Sequence, residues 1–463
     1  MPKLILWNSK EAEKATGGKS IISWKAYGVS IDSRKISKGD LFLAIKGDHF
    51  DGHNFVKDAL AKGAAAAVVD RIPKGIKKDA PLLIVSNVTV ALHDLAKYSR
   101  SRMNGKIIAV TGSVGKTSTK EMLALAFKGQ GGVYYTEGNL NNHYGLPLSL
   151  ARMPKNTAYG IFEIGMNHAG EISPLSKLAK PDVAIITNIE AVHLEFFDSL
   201  QGIADAKSEI LDGVAAKGAA IINFDNQFYS YLKNIAKNKK GIKNIISFGS
   251  KAGADYQLKQ YSEKDSKAEI KSNLEKKVFN YKLGICGKHQ AINSLAVLAA
   301  VRFVGADIKK AGHNLTKCQA KPGRGKISKI RIGKKNITVI DDCYNASPAS
   351  VSAALDKFGS MQVRGRKLAV LGDMFELGSN APSLHKNISE KIIANNINQL
   401  FVAGNLMLNL YKAVPESIRG GHAVDSTSLA SLLKKALQDG DVLLVKGSRG
   451  MKMENVIKIL GVK

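Results

Sequence analysis

Short apolar runs rich in β-branched residues recur along much of the chain, and stretches with helical spacing of apolar positions fall between them. From about Asn87 the runs are KIIAV, AYGIFEIG, PDVAIITNI and GAAIINF, preceded by the helical VTVALHDLAKYSRSRM. Strands apolar on both faces belong in a parallel sheet covered by helices on either side. Before them, to about Ser86, the Gly- and Asp-rich SIDSRKISKGDLFLAIKGDHFDGHNF separates short strands. FVKDALAKGAAAAVV then reads as a helix feeding the strand LLIV, which predicts a small α/β unit. The polar, loosely alternating residues 251–282 read as a small antiparallel excursion within the second unit. GKHQAINSLAVLAAVRFVGA follows as a helix entered through a Gly-His turn.

A third unit begins near KPGRGK. Its strands are NITVIDD, KLAVLGDM, QLFVAG and DVLLVKG, and its helices ASVSAALDKF, SLHKNISEKII, SLASLLKKAL and MENVIKIL. This is a second doubly wound pattern. The expected architecture is α/β in three domains, 1–86, 87–319 and 320–463, with no internal repeat and no low-complexity linker. The 463 residues suit three units of roughly 150 each.

Composition narrows the function by exclusion. No apolar run reaches the ~18 residues of a membrane span, and the apolar patch in MPKLILWNSKEAEK is too short for a secretory signal, so a cytoplasmic protein is expected. Cys286, Cys318 and Cys343 lie far apart, with neither zinc spacing nor a disulfide framework. The formal charge of +29 raises the question of nucleic acid. Lysine is scattered from end to end, however, and no basic stripe interleaves with aromatics, so nucleic acid is not expected as a partner. The dense Lys237, Lys239, Lys240 and Lys243 look like solvated helix ends and loops. An anionic nucleotide substrate would still gain from such a field.

The sharpest chemical signal is Gly112-Ser113-Val114-Gly115-Lys116-Thr117-Ser118, with IIAV before it and a helical run after it. Glycines let backbone N–H groups close around a phosphate, and a helix N-terminus adds partial positive charge. Lys116 would reach the outer phosphates, and the Thr117 hydroxyl would ligate Mg²⁺. Val110 stands where the general P-loop pattern has its first glycine. A metal beside the phosphates needs carboxylates. Glu163 ends the strand AYGIFEIG, and His193 and Glu195 lie in the loop after VAIITNI, both at the ligand edge of a parallel sheet.

These segments, in order, resemble the Mur ligases. TGSVGKTSTKEM, TEGNLNNHYGLPLSL, FEIGMNHAGEI and TNIEAVHLEFFDSLQGIADAKSEI carry the resemblance, followed by GKHQAINSLAV, PGRGK, DDCYNASPASVSAAL, VLGDMFELG and LLVKGSRGMKME. It runs nearly the whole length, and its wording is most similar to the members that add D-alanyl-D-alanine. The resemblance implies a UDP-binding domain, a central P-loop ATPase domain and a C-terminal Rossmann-like domain. It implies ATP and two Mg²⁺ ions as cofactors and UDP-N-acetylmuramoyl-tripeptide and D-alanyl-D-alanine as substrates, acted on by a monomer. Glu163 and His193 are similar to the family's metal ligands. Lys207 is similar to its carbamylated lysine, although the sequence alone reads it as an exposed helix lysine.

His289 and Asn293 resemble the adenine-side pair, with Gln290 where Asn is common. Arg324 and Asp342 resemble the third domain's contribution to ATP. Asn139, Asn141 and Asn142 sit where the family meets the muramoyl substrate. Ser33, Arg34 and the Asp51-Gly-His53 turn resemble the UDP-binding residues. Tyr344 and Asn345, retained in DDCYNASP where Cys343 and Ser347 depart from the common wording, resemble substrate-contacting residues. Lys446, Ser448 and Arg449 would face the dipeptide carboxylate. No DNPR-like motif of the diamino-acid-adding members is present. A nucleic-acid-stimulated NTPase and a non-catalytic nucleotide-binding scaffold are the readings from other classes.

Overall fold

A computed structural model of the chain describes residues 4–191, 195–197, 199–264 and 267–462. Among these, three sheets carry the architecture. The first orders Lys19–Ser20, Leu82–Ile84, Ala66–Val69, Asp40–Leu43 and Gly28–Ser30, parallel except at Lys19–Ser20. The second orders Lys277–Leu283, Lys267–Leu274, Tyr256–Lys264, Ile242–Gly249, Gly218–Asn223, Val183–Ile186, Lys106–Thr111, Tyr159–Glu163 and Val133–Tyr135. Its last seven strands are parallel, and the first two form the expected antiparallel excursion. The third orders Lys326–Ile332, Lys335–Asp341, Val442–Lys446, Lys367–Gly372, Gln399–Ala403 and Arg419–Ala423, with only the first strand antiparallel.

The central sheet shows why its strands read as continuous apolar runs. Successive side chains of a strand point to opposite faces, and here both faces are covered. Ile108 and Val110 pack with Met122, Leu123 and Leu295 of helices Lys116–Ala126 and Lys288–Phe303. Ile107 and Ala109 turn the other way, toward Leu175 and Ile203 of helices Ile172–Ala179 and Leu200–Ser208.

Several elements differ from expectation. In FVKDALAKGAAAAVV only Val56–Ala61 is helical, and Ala66–Val69 is a fully buried strand. Gly63, at φ +92°, turns the chain, and the alanines then fit a narrow layer paired on both sides. Alanine fits either period, so pattern alone did not divide the segment. The strand Arg419–Ala423 (RGGHA) carries no β-branched residue and no alternation, and pairing with Gln399–Ala403 makes it a strand. The edge strand Lys326–Ile332 (KISKIRI) was also missed, although it alternates with a period of two that the sequence carries openly.

The first sheet joins the central unit through a shared core. Leu6, Trp7 and Trp24 pack with Leu92 and Leu95 of helix Val88–Ser101 and with Leu148 and Ala151 of helix Gly145–Ala151. The Trp7 indole donates to the Ala151 carbonyl (2.8 Å), and the Arg102 guanidinium lies 4.1 Å from the Trp7 ring centroid.

Candidate active site

The glycine turn closes the strand Lys106–Thr111 and opens the helix Lys116–Ala126. Two of its positions admit only glycine. A Cβ at Gly112 (φ +145°) would lie 2.0 Å from Thr187 Oγ1, and one at Gly115 (φ +86°) 2.6 Å from Asn293 Nδ2. The neighbouring strand end holds the turn in place. Ser113 N donates to Asn188 O (2.8 Å), Ser113 Oγ to Glu190 O (3.0 Å) and Thr187 Oγ1 to Val114 O (2.6 Å). Sequence reading passed over Thr187, Asn188 and Glu190, whose role exists only once Val183–Ile186 pairs with Lys106–Thr111.

Lys116 curls over this turn, its Nζ donating to Gly112 O at 2.5 Å and Ser113 O at 3.4 Å. Burial lowers its pKa, Glu163 opposes that shift, and the Arg324 charge adds to it. The Glu163 carboxylate is buried at the end of its strand and accepts on both oxygens. Thr117 Oγ1 donates to Oε2 (2.8 Å) and Asn141 Nδ2 to Oε1 (2.9 Å). Thr117 Oγ1 also accepts from Arg324 Nη2 at 3.1 Å, so a third-domain side chain reaches the glycine turn.

Lys207 is not the exposed helix lysine that its sequence suggests. It is 1% exposed on helix Leu200–Ser208. Burial, reinforced by the Lys116 charge, pushes its pKa well below that of an ordinary amine. His193 lies outside the described residues.

On the opposite wall, Asn293 is buried against Gly115, and Gln290 Nε2 approaches Ser118 Oγ at 3.4 Å. His289 faces the cleft between the second and third domains. Its surroundings, chiefly desolvation and then Lys357, hold the imidazole below its ordinary pKa, against the pull of Asp342.

The third-domain residues divide into two groups. Lys446 Nζ is buried and committed to Asp342 Oδ2 (2.7 Å) and Asn345 O (2.9 Å), so it braces the DDCYN loop. Ser448, also buried, donates to Ala346 O (3.4 Å) and accepts from Phe375 N (2.8 Å). Arg324, Tyr344 and Arg449 instead lie together, with the two guanidinium carbons 4.0 and 5.7 Å from the Tyr344 ring centroid. Arg449 also pairs with Glu454 at 3.1 Å.

Of the asparagines, Asn141 joins Glu163, Asn139 is exposed, and Asn142 Oδ1 accepts from Gly145 N (2.9 Å) at the start of the next helix. Asn142 also lines a cavity of about 310 Å³ with His93, His143 and Glu171.

The first-domain candidates keep their contacts within that domain. Arg34 forks onto Asp32, and Ser33 O accepts from Lys62 Nζ (3.0 Å). His53 is buried between Asp51 Oδ1 (2.7 Å) and the Asp70 amide (3.2 Å).

One buried group was missed altogether. Lys120 Nζ, on the helix that carries Lys116, donates to Thr136 O at 2.7 Å and Gly138 O at 3.4 Å. The signal available in sequence was its position, one helical turn past Lys116 and on the apolar side.

Hard oxygen donors beside a glycine turn suit Mg²⁺, and the Thr117 hydroxyl and Glu163 carboxylate fit that chemistry. The described residues hold no cluster of three His, Cys, Asp or Glu side chains able to hold a metal ion. Magnesium bound through one or two protein oxygens, with phosphates and water completing its shell, needs no such cage.

A fold of this kind, with a glycine turn in its middle unit and an arginine delivered from its last, defines a nucleotide-dependent enzyme of three units. Family models agree along the chain: "Mur ligase family, catalytic domain" over residues 25–102, "Mur ligase middle domain" over 110–301 and "Mur ligase, glutamate ligase domain" over 329–449. The chain belongs to the Mur ligase family. It is 36% identical over 453 residues to the UDP-N-acetylmuramoyl-tripeptide–D-alanyl-D-alanine ligase of Rickettsia prowazekii, covering 98% of this chain and 99% of that one. It is 35% identical to the Bacillus subtilis enzyme of the same name, over 94% and 93% of the two chains. Among solved structures, MurF from Acinetobacter baumannii superposes with a TM-score of 0.85 at 29% identity over 100% of both chains. MurF from Thermotoga maritima in complex with ADP gives 0.76 at 29% identity, over 94% and 96%.

Proposed function

We propose that this chain joins D-alanyl-D-alanine to the terminal carboxylate of UDP-N-acetylmuramoyl-tripeptide and splits ATP to ADP and phosphate, in peptidoglycan precursor synthesis. The observation that carries the reading is the Glu163 carboxylate, which holds Thr117 of the glycine turn on one oxygen and Asn141 of the NLNN loop on the other. One buried acid thus ties the nucleotide side to the segment that the family resemblance assigns to the muramoyl substrate. The full-length similarity to enzymes of this name supports the same substrates.

In this reading the tripeptide carboxylate oxygen attacks the γ-phosphorus of ATP, ADP leaves, and an acyl phosphate forms. The dipeptide amine, having lost a proton to solvent, attacks the acyl carbon, and phosphate leaves as the amide bond closes. Lys116 and Arg324 neutralise charge on the phosphoryl oxygens, and the glycine turn fixes the nucleotide for in-line transfer. Mg²⁺ held by Thr117 and Glu163 would supply further neutralisation of those oxygens. His289 and Asn293 hold the adenine side, and Asp342 acts from the third domain.

Lys207 is the site of a carbamate. Its burial favours the neutral amine, the form that adds to CO₂; the amine releases a proton to solvent and the product is an anion near Lys116. The Lys207 carbamate would help hold a second Mg²⁺ ion, which would supply further neutralisation of phosphoryl charge. Ser33 and Arg34 meet the UDP group, and Arg449 is the cation left for the dipeptide carboxylate. The domains span 1–86, 87–319 and 320–463. The enzyme works as a monomer in the cytoplasm, and no described helix is long and apolar enough to cross a membrane.

Phosphate release and product mass, measured with ATP, Mg²⁺, the UDP-linked tripeptide and one amine at a time, test the substrate. D-alanyl-D-alanine should give a new amide, and L-lysine, diaminopimelate and glutamate should not. Turnover with one of those three instead would move the chain to another branch of the family. Lys116→Ala should fold normally and lose about 10²–10³-fold in kcat. Near-native turnover in that variant would end the phosphate assignment.

A further inference from the structure

The family resemblance sets Tyr344 among the substrate-contacting residues, but its surroundings say something different. The turn that presents Arg324 is bolted to the loop that carries Tyr344. Gly323 N donates to Asp341 Oδ2 (2.7 Å), Tyr344 N to Gly323 O (3.0 Å) and Gly325 N to Asp341 O (2.7 Å). Gly323 sits at φ +76°, and a Cβ there would meet Tyr344 Cβ at 3.0 Å, so the two segments lie backbone against backbone. On this base the Arg324 guanidinium carbon rests 4.0 Å from the Tyr344 ring centroid while its Nη2 donates to Thr117 Oγ1 at 3.1 Å. The Arg449 guanidinium approaches the same ring at 5.7 Å. Among the described residues no carboxylate pairs with Arg324, and the ring face and the Thr117 hydroxyl are the contacts that direct its charge.

We propose that Tyr344 is a positioning residue whose ring face aims Arg324 at the nucleotide, and that its hydroxyl takes no part in the reaction. An arginine side chain has many rotamers, and a flat electron-rich face beneath its guanidinium removes most of them. The same ring lies within cation–π range of Arg449, the cation assigned to the incoming dipeptide, so one side chain sets both positive groups around the reacting carbonyl.

The proposal rests on the ATP-dependent reading above, and the two fail separately. A native chain without ATP-dependent ligation sinks that reading, whereas an active chain indifferent to the ring at 344 sinks this one. With the full chain, Tyr344→Phe should keep the KM for ATP within about twofold of native. Tyr344→Leu should raise it about tenfold, between the values for an exposed and a desolvated cation–π contact, as befits two half-buried partners. On an Arg324→Ala background, Tyr344→Leu should add almost nothing to the ATP KM, because the ring then has no guanidinium to aim. Additive effects in that cycle, or a Tyr344→Phe variant whose main defect is in the KM for the muramoyl substrate or the dipeptide, would overturn the proposal. Should Tyr344→Leu fail to fold, difluorophenylalanine at 344 weakens the negative ring face at nearly constant volume. It should raise the ATP KM above that of Tyr344→Phe, and equality of the two would equally overturn the idea.

Discussion

Lys207 sets stability against function within a single side chain. It is fully enclosed, and the first causes of its depressed pKa are desolvation and the charge of Lys116. A group whose folded pKa is lowered binds its proton more tightly in the unfolded chain, so below the unfolded value of ~10.4 its burial costs stability. The cost is absent above that pH, grows as pH falls, and levels off below the folded pKa. With CO₂ and bicarbonate excluded, so that Lys207 stays a free amine, Lys207→Met, of similar shape and without the amine, should therefore melt no lower than the native chain at neutral pH. Its advantage should widen as the pH is lowered from 10 and vanish above 10.5. Ligation should fall at the same time, and a short-chain carboxylate should restore part of it. A variant that melted well below the native chain at neutral pH would show the amine to be a structural donor. Sequence could not show any of this. Lys207 stands near the end of a helix among Asp205, Ser208 and Glu209, where a lysine is ordinarily solvated.

Elements were easier to read than the contacts between them. The strands ending in Thr111, Glu163 and Ile186 are apolar on both faces, and that alone placed Glu163 and the glycine turn at one edge of the sheet. What the pattern left out is the hardware that connects neighbouring segments, and Lys120 is the clearest case. It lies one turn into helix Lys116–Ala126, where its amine holds the carbonyls of Thr136 and Gly138 and pairs with Glu121 at 3.2 Å. The loop it clamps runs on to Asn141, whose amide meets Glu163. Glu121 keeps a second partner in Lys321 (2.7 Å), so removing the Lys120 amine strands the two carbonyls more than it strands a charge. Lys120→Met should cost about 1–3 kcal/mol, the range for buried groups left unpaired. It should also raise the KM for the UDP-linked substrate more than that for ATP, because the loosened segment is the asparagine loop and not the glycine turn. Equal changes in both KM values, or none, would mean that the clamp does not hold the substrate loop.

At the scale of the molecule, the two domain junctions are built differently. The first unit is fused to the second through Trp7, Trp24, Leu95 and Leu148, with the Trp7–Ala151 and Arg102–Leu6 hydrogen bonds (2.8 and 2.9 Å) inside or beside that core. The third meets the second through thin polar contacts: Arg324 with Thr117 (3.1 Å), Lys321 with Glu121 (2.7 Å), Glu195 N with Glu376 O (3.2 Å) and Lys357 with Cys286 O (3.3 Å). Polar junctions of this kind permit domain motion, whereas a large apolar one resists it. Arg324 and Lys321 lie where the chain passes from the second unit to the third, so the contact nearest the glycine turn sits beside that junction. A nucleotide phosphate beside Thr117 offers Arg324 a stronger partner than a hydroxyl does, and a ligand that binds one arrangement better shifts the population toward it. Solution scattering of the native chain should therefore show a smaller, narrower distribution of sizes with a non-hydrolysable ATP analogue and Mg²⁺. Arg324→Ala should show much less of that change at saturating analogue, since the cation that gains from the closed arrangement is gone. A scattering profile of the native chain that does not respond to the analogue would mean that the third unit is already fixed on the second and that these polar contacts act as a permanent seam.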